Sequence, residues 1–219
     1  MKKIFACFIL LFFILPAVSQ DAVEPEKKAG EAEQVSQSVY TEITLEDFES
    51  TQYTDANLKF VKSKEQQASL AVRDQYPAEF NNSKKYLGVK LYAKKGDTYQ
   101  IFPAKPLEIS KYCRSISVWV YGKKFSGELS IMLQDVNGTT HRLTLGNTAF
   151  LGWKKLTINL PTKIKQQDDY LEKENTLKIL HIQYRAANNS LHPEWQYFYI
   201  DDITATVRDK YKDRQSDDW

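Results

Sequence analysis

The sequence predicts an all-β protein, an antiparallel β-sandwich of jelly-roll type carrying a flexible N-terminal arm and a charged C-terminal tail. Three observations predict it. Between residues 40 and 207 short apolar-rich segments recur, separated by Gly, Pro, Asn and Lys-Gly turns, the pattern of many short strands. Ser115–Gly122 alternates small or polar residues with Ile116, Val118 and Val120, the period-two pattern of a strand with one buried face. Asp135-Val136-Asn137-Gly138 lies between two alternating runs, and Asn-Gly in that position is the strongest short-range hairpin signal.

Taken in order, Met1-Lys2-Lys3 gives a basic start, followed by an uncharged apolar run from Ile4 to Val18 and the small-residue site Ala17-Val18-Ser19. Residues 1–19 therefore read as a cleaved secretory signal peptide. The run is about 15 residues, short of the roughly 20 that a membrane-spanning helix needs. Cys7 does not follow the hydrophobic stretch, which argues against an acylated lipoprotein terminus. Residues 20–39 are rich in Glu, Lys, Ala and Gln with almost no large apolar residue, too little to offset the entropy of ordering them, and are expected to form a flexible arm.

The sandwich is expected over residues 40–207. Its strands are Tyr40–Phe48, Leu58–Val61, Ser69–Arg73, Tyr86–Tyr92, Thr98–Phe102, Ser115–Tyr121, Glu128–Gln134, His141–Leu145, Lys154–Leu160, Leu177–Tyr184 and Trp195–Val207. In the hairpin, a two-residue loop sets apolar side chains against polar ones. A three-residue loop, Val136–Gly138, sets Ile131 opposite Leu143 and Leu129 opposite Leu145, with a type I turn, a bulge and Gly138 at positive φ. The charged stretch 163–176 is expected to hold a helical turn around Tyr170 and Leu171. Residues 208–219 form a charged tail ending in Trp219.

The chain has 30 basic and 28 acidic residues. Loss of Lys2 and Lys3 with the signal peptide leaves 28 against 28, a net charge of zero. No dense Lys/Arg tract remains, so neither nucleic acid nor an anionic membrane is an expected partner. Cys113 alone survives processing and reads as a small buried hydrophobe in a strand.

No constellation of catalytic residues emerges. His141, His181 and His192 lie far apart in sequence, no His or Cys spacing supports a zinc site, and there is neither a phosphate-binding Gly-rich loop nor Gly-x-Ser-x-Gly. The chain is read as a non-enzyme without a cofactor; His141 is expected to be a satisfied strand residue. Acids cluster at the first strand (Glu46, Asp47, Glu49) and in the last (Asp201, Asp202). They face solvent or cap turns, or ligate a structural calcium between neighbouring terminal strands, or form a glycosidase pair. Neighbouring residues on a strand point to opposite faces, so only one member of each pair is expected at any one site.

Aromatics are the surplus. In Trp195-Gln196-Tyr197-Phe198-Tyr199-Ile200, residues 195, 197 and 199 share one face and Phe198 and Ile200 the other. The polar-tipped face is either core packing or a surface for a partner, because Tyr and Trp offer large contact area with a hydrogen-bonding end. Trp195, Tyr197, Tyr199 and the terminal Trp219 are the interface candidates. Tyr76, Phe80 and Tyr86, in or beside polar loops, carry the same ambiguity.

Five motifs stand in order: Leu45-Glu46-Asp47-Phe48-Glu49, Lys85-Tyr86-Leu87-Gly88-Val89-Lys90, Ile116–Gly122, Gly152-Trp153-Lys154-Lys155-Leu156 leading to Pro161-Thr162-Lys163-Ile164-Lys165-Gln166, and Phe198-Tyr199-Ile200-Asp201-Asp202-Ile203. Together they resemble the FlaA family, the outer-layer (sheath) proteins of spirochaete periplasmic flagella. Single motifs also resemble the first and last strands of sugar-binding jelly-roll modules, and a secreted or periplasmic carbohydrate-binding module is the alternative. The resemblance implies a non-enzymatic coat subunit in the periplasm, setting filament stiffness and curvature. Its implied partners are flagellin core subunits, other sheath proteins and neighbouring copies of itself, with glycans on the core as a further possibility. Arm and tail would be tethers that order on assembly.

Overall fold

The structure, a computed structural model, describes residues 39–61, 67–167, 175–187 and 192–211. Twelve strands are formed among them, in order β1 (Thr41–Glu46), β2 (Leu58–Val61), β3 (Gln67–Arg73), β4 (Tyr86–Ala93), β5 (Thr98–Ile101), β6 (Leu107–Ile109), β7 (Tyr112–Lys123), β8 (Gly127–Gln134), β9 (Thr140–Asn147), β10 (Leu151–Asn159), β11 (Leu177–Ala186) and β12 (Glu194–Arg208). One antiparallel sheet runs β10-β7-β12-β4-β3, with β1 on the far half of β12; the other runs β2-β5-β11-β8-β9, with β6 on β11. This is the expected sandwich. The expected signal peptide, the arm to residue 38, the helical turn at Tyr170 and Leu171, and Trp219 fall outside the described residues.

The core lies between the sheets, where the expected period-two positions meet: Ile116, Val118 and Val120 of β7, Leu129, Ile131 and Leu133 of β8, and Phe198 and Ile200 of β12 are all buried. At its centre Tyr184 stacks on Phe198 with ring centroids 4.8 Å apart. Its hydroxyl donates to Gln196 Oε1 at 2.8 Å, so the buried phenol is satisfied. Gly127 makes this packing possible. A Cβ there would stand 2.1 Å from the Tyr184 ring.

The β8–β9 hairpin closes as the turn chemistry requires. Gly138 adopts φ 85° and its N–H donates to the Asp135 carbonyl at 3.0 Å. Asp135 Oδ1 accepts from the N–H groups of Asn137 and Thr139, and its Oδ2 lies 2.8 Å from His141 Nε2, so His141 is partnered. Burial alone would raise the Asp135 pKa, but these three partners hold it below the usual range. Ile131 opposes Leu143 as expected. Leu129 does not oppose Leu145: a bulge between Leu129 and Ser130 advances β9 by one residue and sets Leu129 against Gly146. Leu145 remains buried regardless.

Cys113 is fully buried, as its strand position suggested, and burial pushes its thiol up to about 12. Its backbone is satisfied by a side chain. Gln166 Oε1 accepts from the Cys113 N–H at 2.7 Å, and Gln166 Nε2 donates to the Cys113 carbonyl at 2.8 Å. The amide thereby stands in for a missing strand beside the bulge where β7 and β12 slip register between Thr206 and Val207. This gives the Pro161-x-x-Ile164-x-Gln166 run a structural reason, Ile164 being buried in the core.

Candidate functional site: an aromatic face on one sheet

With Phe198 and Ile200 turned inward, alternation in β12 turns Trp195, Tyr197 and Tyr199 outward. Trp195 is 37% exposed, while Tyr197 and Tyr199 are half-buried by their neighbours. Those neighbours come from other strands. Tyr199 stands opposite Tyr121 on β7, which stands opposite Trp153 on β10; on the other side Tyr199 faces Gly88 and then Ala71. One transverse row therefore reads small, small, Tyr, Tyr, Trp.

The rings in and beside this row meet tilted or edge to face, Tyr199 and Tyr121 at 5.6 Å and 52°. Tyr121 and Trp153 lie 5.4 Å apart at 79°, and Tyr86, two residues before Gly88 on β4, meets Tyr199 at 5.2 Å and 69° and Trp153 at 5.9 Å and 81°. Such crossed rings enclose space instead of stacking flat. A cavity of about 220 Å³ opens there, lined by Tyr76, Tyr86, Tyr121, Lys123, Trp153 and Tyr199. Lysines occupy the next row. Lys90 pairs across to Tyr197 and sits 4.2 Å over the Trp195 ring; Lys123 lies 5.5 Å from Tyr199 and 5.9 Å from Tyr197. These are cation–π distances.

The segment between β3 and β4 is pinned over the neighbouring part of the face. Phe80 stacks on Trp119 at 3.9 Å and 18°, its edge toward Trp153 at 5.5 Å. Asn81 and Asn82, both at positive φ, turn the chain so that Asn81 Nδ2 donates to Asp202 (2.6 Å) and Ser83 Oγ to Asp201 (2.7 Å). Glu49 accepts from the N–H groups of Lys84 and Lys85.

The acids are thus placed. β1 and β12 do lie side by side. Glu46 turns inward, its carboxylate taking hydrogen bonds from Phe48 N–H, Thr51 and the Tyr53 hydroxyl. Asp201 and Asp202 contradict the expectation that adjacent residues split between faces. A bulge at Asp202, with φ 39°, turns both carboxylates to the same loop. Burial first, then the charges of Asp202 and Glu49, pushes Asp201 up to about 7 against the opposing hydrogen bonds from Ser83 and the Asp202 N–H. Among the described residues no three His, Cys, Asp or Glu side chains gather to hold a metal ion.

Of the four interface candidates, the structure brings Trp195, Tyr197 and Tyr199 onto one face. It joins to them Tyr86 and Tyr76, which the sequence had left between core and surface, and adds Tyr121, Trp153, Lys90 and Lys123, which one-strand reading missed. The signal was present in parity: Trp119, Tyr121 and Lys123 occupy the positions opposite to Val118, Val120 and Gly122 in β7.

Residues 62–215 match the family described as the flagellar filament outer layer protein FlaA. A putative flagellar filament outer layer-like protein of Brachyspira hyodysenteriae is 30% identical over 143 residues, covering 63% of this chain and 64% of the relative. The match thus spans less than two thirds of that relative's length. Among solved structures, a family 11 carbohydrate-binding module from Clostridium thermocellum aligns with a TM-score of 0.47 and 14% identity, over 78% of this chain and 98% of the module. The C-terminal family 22 module of Clostridium thermocellum Xyn10B aligns with a TM-score of 0.40 and 14% identity, over 76% and 93%. By the match over residues 62–215, this chain is a member of the flagellar filament outer layer family, FlaA.

Proposed function

We propose that the protein is a non-enzymatic coat subunit of a periplasmic flagellum, laid on the flagellin core beside other sheath proteins and copies of itself. The observation that carries this reading is the in-register row Tyr199, Tyr121 and Trp153 with Trp195 and Tyr197 beside it, a contiguous aromatic face on a rigid sheet. Trp, Tyr and Arg are the residues enriched among those that carry most binding energy at protein interfaces, and a sheet that already orders the rings lowers the entropy cost of docking. Coats on a filament need contacts that repeat without closing, so this face and the opposite sheet would engage different neighbours. Rigid blocks tied to the core in this way bias filament stiffness and curvature.

The test replaces the chromosomal copy with a Trp195→Ala/Tyr197→Ala variant and measures the protein by mass spectrometry in purified periplasmic flagella. Wild type should co-purify with the filament, and the variant should remain in the soluble periplasm at normal folding. Absence of the wild-type protein from filaments would refute the coat role, and wild-type levels of the variant would refute the role of this face.

A further inference from the structure

We propose that the cavity between Tyr86, Tyr121, Trp153 and Tyr199 is a binding site for one acidic saccharide unit, a pyranose ring bearing a carboxylate. Its shape, lining and charge each narrow the occupant. At about 220 Å³ the space falls below the roughly 300–1,000 Å³ of sites for drug-sized ligands, and it holds the volume of about seven waters. That suits a single ring and leaves an Asp or Glu side chain of a docking peptide far too small to fill it.

The walls are rings set at 52° to 81° to one another, so a guest meets π faces and edges together. A sugar ring presents weakly positive C–H groups on its faces and hydroxyls around its rim. The first match the negative faces of the rings, and the second match phenolic oxygens. Tyr86 already donates its proton to the Gln75 carbonyl at 2.5 Å, which fixes the ring and leaves its oxygen free to accept. Tyr76, 92% exposed, stands at the mouth.

Charge selects the acid. Lys123 is the charged residue in the lining, Lys90 occupies the adjoining row, and no carboxylate lines the space. A quaternary or ammonium guest, the usual occupant of an aromatic cage, meets a like charge here; a carboxylate meets Lys123 in a charge-assisted hydrogen bond. Beyond Tyr199 the row continues to Gly88, over which the Arg73 stem lies, and to the exposed Ala71, so a further cation flanks the site on that side. The site stands on the cavity alone and does not depend on the coat role.

The probes are D-glucuronic acid and N-acetylneuraminic acid, with D-glucose and an N-acetylated aspartyl peptide as controls, titrated into the full-length secreted protein by calorimetry and saturation-transfer NMR. The acidic sugars should bind, with saturation transferred from aromatic protons to the ring C–H groups. Lys123→Met should weaken them about five- to tenfold while leaving glucose unchanged, and Trp153→Ala should abolish both. Lys123 is at the surface, so its variant keeps the fold if Trp153→Ala does not. No binding by either acidic sugar, binding indifferent to Lys123→Met, or tighter binding of the peptide would each overturn the proposal. Murein fragments and saccharides released from purified filaments, run in parallel, identify which source supplies the ligand.

Discussion

Asp201 offers a direct test of how the loop over the aromatic face is held. Its carboxyl is fully buried and is raised from 3.8 to about 7. A pKa raised in the folded state means that folding favours the protonated form. The associated stability is fully present below the unfolded value near 4 and is lost as pH rises through 7. A shift of about 3 units at about 1.4 kcal/mol each sets an upper bound of about 4 kcal/mol. Asp202 is raised too, with burial as the main cause, and its contribution follows the same direction.

Asn at position 201 keeps the shape and removes the titration. Its Oδ1 accepts from the Asp202 N–H as the carboxylate now does at 2.9 Å, and its amide donates to Ser83 Oγ, which still donates to the Lys85 carbonyl. Thermal unfolding by near-ultraviolet circular dichroism should find Asp201→Asn near or below wild type at pH 4.5 and above it at pH 8. The relative change between these two pH values is up to about 3 kcal/mol, because about 1 kcal/mol is already lost at pH 4.5, or roughly 6–12 °C for a domain of this size. Parallel curves for the two proteins across that range would show that the carboxylate is solvated and that the burial argument is wrong.

Gly127→Ala places a methyl group 2.1 Å from a Tyr184 ring that is stacked on Phe198 and tethered to Gln196, so it should cost about 3 kcal/mol or more in urea unfolding; a loss under about 1 kcal/mol would mean that the ring has room to retreat. Gln166→Ala leaves the Cys113 N–H and carbonyl buried without their partner and should cost about 2–5 kcal/mol at unchanged strand content, a neutral result refuting the strand-mimic role. In protein beginning at Gln20, the buried Cys113 thiol should react with a disulfide reagent at pH 8 only at the rate of global unfolding, and at once in denaturant. Fast reaction in the folded state would contradict the packing at β7.

Much of the fold was legible because period-two patterning and turn chemistry are local. Leu58–Val61 matched its strand end to end, and the Val136–Gly138 loop with Gly138 at positive φ followed from counting which register pairs apolar faces. What failed was non-local. The bulge that moved Leu145 off Leu129, and the one that turned Asp202 beside Asp201, depend on how neighbouring strands fit, which no single segment encodes. Leu107–Ile109 was missed because three residues following Pro106 carry too little pattern; pairing with Leu177–Ile179 of β11 makes them a strand.

The aromatic face shows the same division at the level of function. Parity within β12 suffices to set Trp195, Tyr197 and Tyr199 on one side, but it leaves open whether that side is core or surface. Register settles it. Tyr199 aligns with Tyr121 and Trp153 on strands whose other parity, Val118, Val120 and Leu156, is buried between the sheets, so the aromatic parity must lie outside. Rings placed outside a sheet that already has a full core add less to folding than core rings do, because their neighbours there are one another, the β3–β4 segment at Phe80 and Gln75, and the stems of Lys90 and Lys123. Their energy is available to a partner instead, and beyond the Arg73 stem that lies over Gly88 the row ends at the exposed Ala71 of the edge strand β3, which leaves a gap there. Filling this gap with Ala71→Trp should therefore block docking while sparing stability, a separation that a purely structural role for the rings would not permit.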